Sequence, residues 1–319
     1  MPFSEIDHRS IAVIKALAMD APHAAKSGHQ GTAMALAPLS HILWTRIMTY
    51  DAKEPLWPNR DRFILSAGHA SILLYSMLHL TGYELSLEDL KQFRQLGSRT
   101  PGHPERGHTA GVEVTTGPLG QGFANGVGMA IAERTLRARL GNEICDHNIW
   151  VVCGDGDLSE GISHEAASLA GHLQLNRLTV IYDDNQITID GKTDLALSDD
   201  ASLRFRSYGW NVIELGDESN NLDSIESALL EAKNEEQKPS IVILKTLIGE
   251  PSPHTNTAAV HGYSLKDDEI KETKRILEIP ENETFWIPDD VLDYYRTAGS
   301  RSEEIRKNWE ELSSTFGER

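Results

Sequence analysis

Residues 148–157 read Asn-Ile-Trp-Val-Val-Cys-Gly-Asp-Gly-Asp, an apolar run that leads directly into an acidic, glycine-containing turn. An unbroken apolar run of this length is typical of a strand that is buried on both faces of a parallel sheet. In open α/β sheets, ligands bind beyond the carboxyl ends of the strands. Asp155 is therefore predicted to lie at a ligand-binding edge of such a sheet.

The same alternation of short apolar runs and longer helical patterns continues on both sides of this stretch. Apolar runs that predict further strands cover residues 63–65, 178–182, 212–215 and 241–244. Helical spacing covers residues 126–140, 222–233 and a first helix, which begins at Ser4 with Asp7 and runs up to Gly28. This alternation predicts an α/β fold in which helices cover both faces of a mostly parallel sheet.

The carboxyl-terminal segment is charged and predicted to be helical from about residue 288. Ser300 with Glu303 indicates a capping box. One apolar stripe follows, made of Ile305, Trp309, Leu312 and Phe316. The stripe covers either this domain's own core or a partner chain. No repeat or linker marks a second domain, so residues 1–319 are interpreted as a single domain with a helical extension from about residue 265.

Composition restricts the classes of function. The 30 Lys and Arg residues against 48 Asp and Glu give a formal charge of -18, which disfavours binding to nucleic acid and to anionic membranes. Two cysteines, Cys145 and Cys153, are too few for a disulfide framework. The sequence shows neither a signal peptide nor a run of about 18 apolar residues. We therefore expect a cytoplasmic protein with no membrane partner.

A second predicted strand brings further oxygen ligands to the edge that carries Asp155. The run 178–182 is followed by Asp183-Asp184-Asn185. Asp155, Asn185 and the backbone carbonyl of Ile187, with two phosphate oxygens and a water, would provide the six oxygen ligands that Mg²⁺ prefers. Gly-Asp-Gly alone is more typical of a tight turn, but its pairing with the second strand end favours the metal site.

A glycine-rich run at residues 117–122, with Gly126 beyond it, has two interpretations. The spacing of Gly120, Gly122 and Gly126 is one residue too long for a dinucleotide fingerprint, and Pro118 interrupts the preceding strand. The pattern instead favours a helix amino terminus whose free N–H groups face a bound cofactor.

Histidines in glycine-containing loops form a second group of candidate residues. They are His29, His69, His103 and His261. Irregular segments at 93–116 and 249–257 lie where functional loops are expected. Singly, each histidine is more typical of packing, but together they indicate a polyhydroxylated, anionic ligand because imidazoles bind hydroxyls and transfer protons near neutral pH. Their spacing contains no paired zinc-ligand motif.

Ordered matches to a known family run along nearly the whole chain. The matching stretches are residues 27–29, 61–69, 100–105, 115–122, 154–165 and 182–191. Over these stretches the sequence resembles the amino-terminal, diphosphate-binding domain of transketolases. The resemblance implies a three-layer α/β/α thiamine-diphosphate-binding fold with a mostly parallel sheet, and it implies thiamine diphosphate and Mg²⁺ as cofactors.

The resemblance also implies roles for individual residues. The metal would be held by Asp155, Asn185 and the Ile187 carbonyl. The cofactor-binding set would be His69, Gly117, Pro118, Leu119, Gly156, Glu160, Asn185 and His261, with Glu160 reaching toward a partner domain. The catalytic residues would be His29, His103 and His261, which line the donor-sugar channel.

In this family the cofactor transfers a two-carbon ketol unit from a ketose, or ketose phosphate, to an aldose or its phosphate. A whole transketolase is about twice as long as this chain, and its second, pyrimidine-binding domain supplies the glutamate that activates the cofactor. We therefore expect one subunit of a split transketolase, paired with a separate pyrimidine-binding chain in a heterotetramer of two pairs. The alternatives are an α-type subunit of a thiamine-dependent 2-oxo acid dehydrogenase and a non-catalytic cofactor-binding remnant.

The sequence departs from the family pattern beside the donor channel. Gln30 replaces the proline that usually follows the first loop histidine, and His-Gly-Tyr-Ser-Leu-Lys at 261–266 replaces the usual His-Gly-Ala-Pro-Leu-Gly. The preceding loop, residues 249–257, also differs from the common form. These departures leave the identity of the sugar open.

Overall fold

A five-stranded parallel sheet forms the centre of the computed structural model, which describes residues 2–216 and 220–316. Its strands are β1 (Arg62–Leu65), β2 (Ile149–Gly154), β3 (Leu178–Asp184), β6 (Asn211–Glu214) and β7 (Ser240–Lys245), and β4 (Ile187–Thr188) pairs separately with β5 (Gly191–Lys192). The order across the sheet is β1-β2-β3-β7-β6, and every neighbouring pair is parallel. The predicted α/β fold is confirmed.

Helices precede the first strand, connect the strands and continue beyond the last one. They are α1 (Glu5–Ala25), α2 (Gly31–Ala35), α3 (Ala37–Ile42), α4 (Ser71–Thr81), α5 (Leu87–Lys91), α6 (Gln121–Leu140), α7 (Asp155–Ser159), α8 (Gly161–Leu173), α9 (Ala201–Ser207), α10 (Leu222–Lys233), α11 (Asp267–Ile276), α12 (Asp289–Ser300) and α13 (Glu303–Phe316). Within the described ranges, these helices are too short or too polar to cross a membrane.

The sheet separates two hydrophobic clusters, as a strand with side chains alternating between its faces requires. On β2, Trp150 and Val152 point into the cluster that includes α1, α3, α4, α10 and α12. Ile149, Val151 and Cys153 point into the other cluster, with α6, α8 and α9. The three layers therefore follow directly from the apolar run that the sequence places at 149–153.

Several predicted boundaries differ from the structure. Helix α6 begins at Gln121, five residues before the predicted start, and α1 ends at Ala25 rather than near Gly28. The predicted capping box at Ser300 is wrong, because Ser300 is the last residue of α12 and the final helix begins only at Glu303. Ser300 is therefore not the residue that caps the final helix.

The apolar stripe of the last helix is divided between two environments. Trp309 packs against Trp57, with ring centroids 6.4 Å apart, and its indole N–H donates to the Ile144 carbonyl at 2.8 Å. Ile305 and Leu312 remain 54% and 39% exposed. The side chain of Phe316 lies outside the described part of the chain. At least one member of the stripe therefore covers this chain's own surface.

Candidate functional site

A cavity of about 310 Å³ lies beyond the carboxyl ends of β1, β2 and β3. This is where the parallel sheet was expected to place a ligand. The lining residues are His29, Thr32, Ala67, His69, His103, Gly117, Leu119, Gly154, Asp155, Gly156, Asp157, Asp183, Asn185, Ile187, Thr188, Ile189 and His261.

The two strand ends that carry oxygen ligands meet in this cavity. In the register of β2 and β3, Gly154 pairs with Asp183, which brings the segments beyond them side by side. Asp155 Oδ1 accepts a hydrogen bond from the Tyr182 hydroxyl at 2.7 Å, and its Oδ2 accepts one from the Gln186 backbone N–H at 3.2 Å. The carboxylate that follows β2 is thus fixed by residues at the end of β3.

Asp183 fixes the side-chain amide of Asn185. The Asn185 Nδ2 group donates to Asp183 Oδ2 at 2.8 Å, while Oδ1 accepts from the Ile187 backbone N–H at 2.9 Å. Asp183 also accepts from the Thr246 hydroxyl at the end of β7. The bond to Asp183 fixes the direction of the amide. Because its oxygen accepts one described hydrogen bond, a second lone pair remains for a ligand in the cavity.

The carboxylates of Asp155, Asp157 and Asp183 are buried at these strand ends. The hydrogen-bond partners described for Asp155, Asp157 and Asp183 are hydroxyl and amide groups. Burial raises the pKa of Asp155 to about 6 and that of Asp183 to about 7. A buried carboxylate is unfavourable without a counter-charge, so a divalent cation at this position would relieve the cost.

Asp157 joins three segments of the cavity wall. Its Oδ1 accepts from the Ser66 hydroxyl at 2.6 Å and from the Gly120 N–H at 2.8 Å, and its Oδ2 accepts from the Gly154 N–H at 3.0 Å. Ser66 in turn accepts from the Phe123 N–H at 2.9 Å. At the start of α6, the N–H groups of Gly120 and Phe123 therefore donate to protein side chains, so the expectation that free N–H groups there face a cofactor does not hold for these two.

Three histidines from distant loops pack against one another in the cavity. The His69 ring stacks on His261 with centroids 5.2 Å apart, and the His29 ring lies edge-on at 5.2 Å from His69 and 5.9 Å from His261. His103 lies close to the Gly117 turn, since a Cβ at Gly117 would be 3.2 Å from the His103 ring. All four histidines line this one cavity, as the sequence led us to expect.

These histidines are neutral at physiological pH. Burial lowers the pKa of His29 to about 4 and of His69 to about 3, and it also lowers the pKa of His103 and His261. The Nδ1 atoms of His29 and His261 are buried without a hydrogen-bond partner among the described residues. A buried polar atom of this kind is costly unless a ligand satisfies it.

Most of the predicted site residues line the cavity, and two do not. Pro118 and Glu160 are exposed and lie outside its lining. The sequence reasoning missed several lining residues: Thr32, Ala67, Asp157, Asp183, Thr188 and Ile189. Asp157 and Asp183 had a detectable signal, because each stands next to or within the acidic stretches after β2 and β3.

The fold and the cavity together define a ligand-binding domain of the open α/β class, with oxygen ligands at two strand ends beside a wall of neutral histidines. The family model "Transketolase, thiamine diphosphate binding domain" matches residues 6–319. The chain belongs to this family. Membership in it favours transketolase over the 2-oxo acid dehydrogenase α subunit that was considered from the sequence.

Individual relatives agree with this family. The chain is 49% identical to a transketolase of Halalkalibacterium halodurans over 98% of its length and 51% identical to one of a Nostoc species. Among solved structures, it is similar to a Pichia stipitis transketolase complexed with sedoheptulose 7-phosphate, with a TM-score of 0.95 at 45% identity over 99% of the chain. A Leishmania mexicana transketolase gives a TM-score of 0.95 at 43% identity.

The match covers only part of each relative. The chain spans 47% of the Halalkalibacterium and Nostoc proteins and 47% of the Pichia and Leishmania chains. It therefore corresponds to about half the length of the transketolases it resembles.

Proposed function

We propose that this chain is the diphosphate-binding part of a transketolase, which binds thiamine diphosphate with Mg²⁺ and takes part in transferring a two-carbon ketol unit from a ketose to an aldose. The observation that carries the proposal is the convergence of Asp155, Asn185 and four loop histidines on one cavity in a chain of this family. Interpretation of residues 1–319 as one such domain, with a helical extension from about 265, is part of the same proposal.

In this proposal the metal is held by Asp155, by the Asn185 amide oxygen and by the Ile187 carbonyl. No group of three or more His, Cys, Asp and Glu side chains in the described ranges could hold a metal unaided. Mg²⁺ suits such a site because it takes few protein ligands and shares its remaining positions with phosphate and water. The metal would neutralise the buried carboxylates and the diphosphate at once.

The proposed cofactor contacts surround this metal site. A Cβ at Gly154 would meet nothing within 4 Å, so a diphosphate can approach the backbone there. The lining of the same cavity also includes His69, Gly117 and Leu119. Pro118 and Glu160 belong to the proposed set through the resemblance alone. When bound, thiamine diphosphate supplies the carbanion chemistry that cleaves and forms the carbon–carbon bond.

His29, His103 and His261 are the proposed contacts to the sugar. Because their pKa values are lowered, each is a neutral imidazole that can donate through one ring nitrogen and accept through the other. The Nδ1 atoms of His29 and His261 have no hydrogen-bond partner among the described residues, so neither ring is committed to the protein through that nitrogen. These two residues would take and return protons at the substrate hydroxyls, while His103 orients the donor.

The proposal requires a second, pyrimidine-binding region that corresponds to the other half of the relatives. Glu160 is exposed beside the cavity turn, where a partner could reach it. That this region is a separate chain, that two pairs form a heterotetramer, and that the protein is cytoplasmic stay predictions from the sequence.

The test is an assay of ketose cleavage and two-carbon transfer with thiamine diphosphate and Mg²⁺. Purified chain is assayed alone and after mixing with a pyrimidine-binding transketolase half, with pyruvate decarboxylation measured in parallel. We expect transfer only in the mixture and no pyruvate decarboxylation. Strong transfer by the lone chain contradicts the need for a second region, and pyruvate decarboxylation without ketose cleavage contradicts the transketolase assignment.

A further inference from the structure

The side chain of Gln30 connects two loops that lie more than 230 residues apart in the sequence. It is fully buried, and its Nε2 group donates to the Tyr263 carbonyl at 2.7 Å while its Oε1 accepts from the Leu265 N–H at 3.4 Å. Both ends of the amide are used, so its orientation is fixed. We call this pair of hydrogen bonds the Gln30 clamp.

The two clamped loops carry a proposed catalytic histidine each. His29 directly precedes Gln30, and His261 lies two residues before Tyr263, with the two ring centroids 5.9 Å apart at an interplanar angle of 88°. The loops are in contact, since a Cβ at Gly262 would be 3.6 Å from the His29 ring. The Gln30 clamp therefore joins the two loops close to the contact between the His29 and His261 rings.

Within residues 2–216 and 220–316, no protein hydrogen bond fixes the orientation of either imidazole through Nδ1. The Nδ1 atoms of both His29 and His261 are buried without a partner in the described residues. Their spacing depends on packing and on the backbone that carries them. The Gln30 side chain joins those two stretches of backbone directly. The segment also contacts α1, where His23 Nδ1 lies 3.0 Å from the Leu265 carbonyl oxygen, while the neighbouring bond from the Gly249 N–H to the Gly31 carbonyl, at 3.0 Å, holds a different loop.

The clamp is built at the positions where this chain departs from the family pattern. A proline usually stands at position 30, and proline has no side-chain donor or acceptor. The partner segment, with Tyr263 and Ser264, replaces the usual Ala-Pro. Proline limits the backbone at its own position, whereas here a buried amide bonds both loops.

We propose that Gln30 is a positioning residue that holds His29 and His261 at the separation needed to bind the hydroxyl groups of the donor ketose. The inference rests on the proposed function. A shift of one loop by a fraction of an ångström changes the distance between two unpartnered ring nitrogens, and misplaced catalytic groups are costly even when binding of the rest of the ligand is unchanged. Binding of the donor, rather than of the acceptor, is the step that Gln30 controls.

The first experiment compares Gln30→Leu with Gln237→Leu, a matched change at an exposed glutamine, in the complete enzyme with its pyrimidine-binding partner. Leucine has a similar volume but makes neither hydrogen bond. We expect kcat/KM for the donor to fall about tenfold in Gln30→Leu, with the KM for the acceptor unchanged. The control is expected to match the wild type.

The second experiment restores the family pattern. Gln30→Pro alone is expected to lose donor kcat/KM as Gln30→Leu does, whereas the triple variant Gln30→Pro, Tyr263→Ala, Ser264→Pro recovers to within about twofold of wild type because the two loops are again restricted together. Wild-type donor kinetics in Gln30→Leu, or a triple variant no better than Gln30→Pro, overturns the proposal.

A readout on the isolated chain separates this inference from the proposed function. The ring signals of His29 and His261 in ¹H–¹⁵N spectra are expected to move in Gln30→Leu and not in Gln237→Leu. If the wild-type complex has no transfer activity, the proposed function fails. If the wild type is active but the ring signals of Gln30→Leu are unchanged, the clamp does not position these histidines and the inference fails.

Discussion

Replacing Asp157 measures how strongly one buried carboxylate holds the cavity wall together. Asp157→Ala leaves three buried donors without an acceptor: the Ser66 hydroxyl and the N–H groups of Gly120 and Gly154. Each such donor costs about 1–3 kcal/mol. Part of this is regained because the carboxylate itself is unfavourably buried, as its raised pKa indicates. We expect the free energy of unfolding to fall by about 3–5 kcal/mol.

The isosteric change Asp157→Asn separates the contributions of the two carboxylate oxygens. The asparagine Oδ1 can still accept from Ser66 and Gly120, but its NH₂ group faces the Gly154 N–H, which loses its acceptor. A single lost acceptor predicts a fall of about 1–2 kcal/mol. The exposed Asp293→Asn on α12 serves as the control, with an expected change within about 0.5 kcal/mol.

Urea unfolding followed by far-ultraviolet circular dichroism at pH 7.5 is the assay. Equal slopes against urea for the variants and the wild type indicate that the same amount of surface is exposed on unfolding. The expected order of stability is wild type, then Asp157→Asn, then Asp157→Ala. If both Asp157 variants unfold within about 0.5 kcal/mol of wild type, the carboxylate does not join the three segments energetically.

Three further predictions use other parts of the fold. Gly122→Ala would place a Cβ 2.5 Å from the Ser66 Cα and is expected to destabilise the protein by about 1–3 kcal/mol. The Cβ of Gly128→Ala would meet nothing within 4 Å, and this change is expected to stabilise the protein by about 0.5–1 kcal/mol. Urea unfolding of both variants checks this, and equal effects would contradict it. Burial raises the pKa of Glu133 from 4.5 to about 7. The free energy of unfolding therefore contains the full contribution of this carboxyl below pH 4.5 and decreases by about 3 kcal/mol as the pH rises to 7. Between pH 5 and 8 the free energy of unfolding is expected to decrease less in Glu133→Gln than in the wild type, and equal decreases in the two proteins would refute the assignment. Burial lowers the pKa of His29 to about 4, so stability is lost as the pH falls from 6.5 to 4, and a ring titration by NMR with a midpoint near 6.5 would contradict a buried neutral imidazole.

The fold could be predicted because it depends on local patterns. The apolar run at 149–153 is buried on both faces, and its alternating side chains form the two clusters of the core. The placement of Asp155 and Asn185 followed from the geometry of parallel strands. Four histidines were recognised individually, but only the folded chain brings the rings of three of them within 5.9 Å of one another.

What could not be predicted depends on long-range contacts or on ambiguous local signals. The role of Asp157 depends on Ser66, 91 residues away, and on Gly120, 37 residues away. The same contacts explain why the N–H groups of Gly120 and Phe123 are not free for a ligand. Gln30 was recognised as a departure from the family, but its partners lie 233 and 235 residues further along the chain. The capping signal at Ser300 was misleading because a serine followed by a glutamate three residues later also occurs at the end of a helix.

Calorimetric titration of thiamine diphosphate into the purified chain, with and without Mg²⁺, tests the central claim most directly. We expect binding that requires Mg²⁺, with the diphosphate ester favoured over thiamine itself, and loss of that binding in Asp155→Ala while the exposed control Asp293→Asn binds as the wild type does. Equal binding by the wild type and Asp155→Ala, or binding that is indifferent to Mg²⁺, would contradict a metal-linked diphosphate site at the carboxyl ends of β2 and β3.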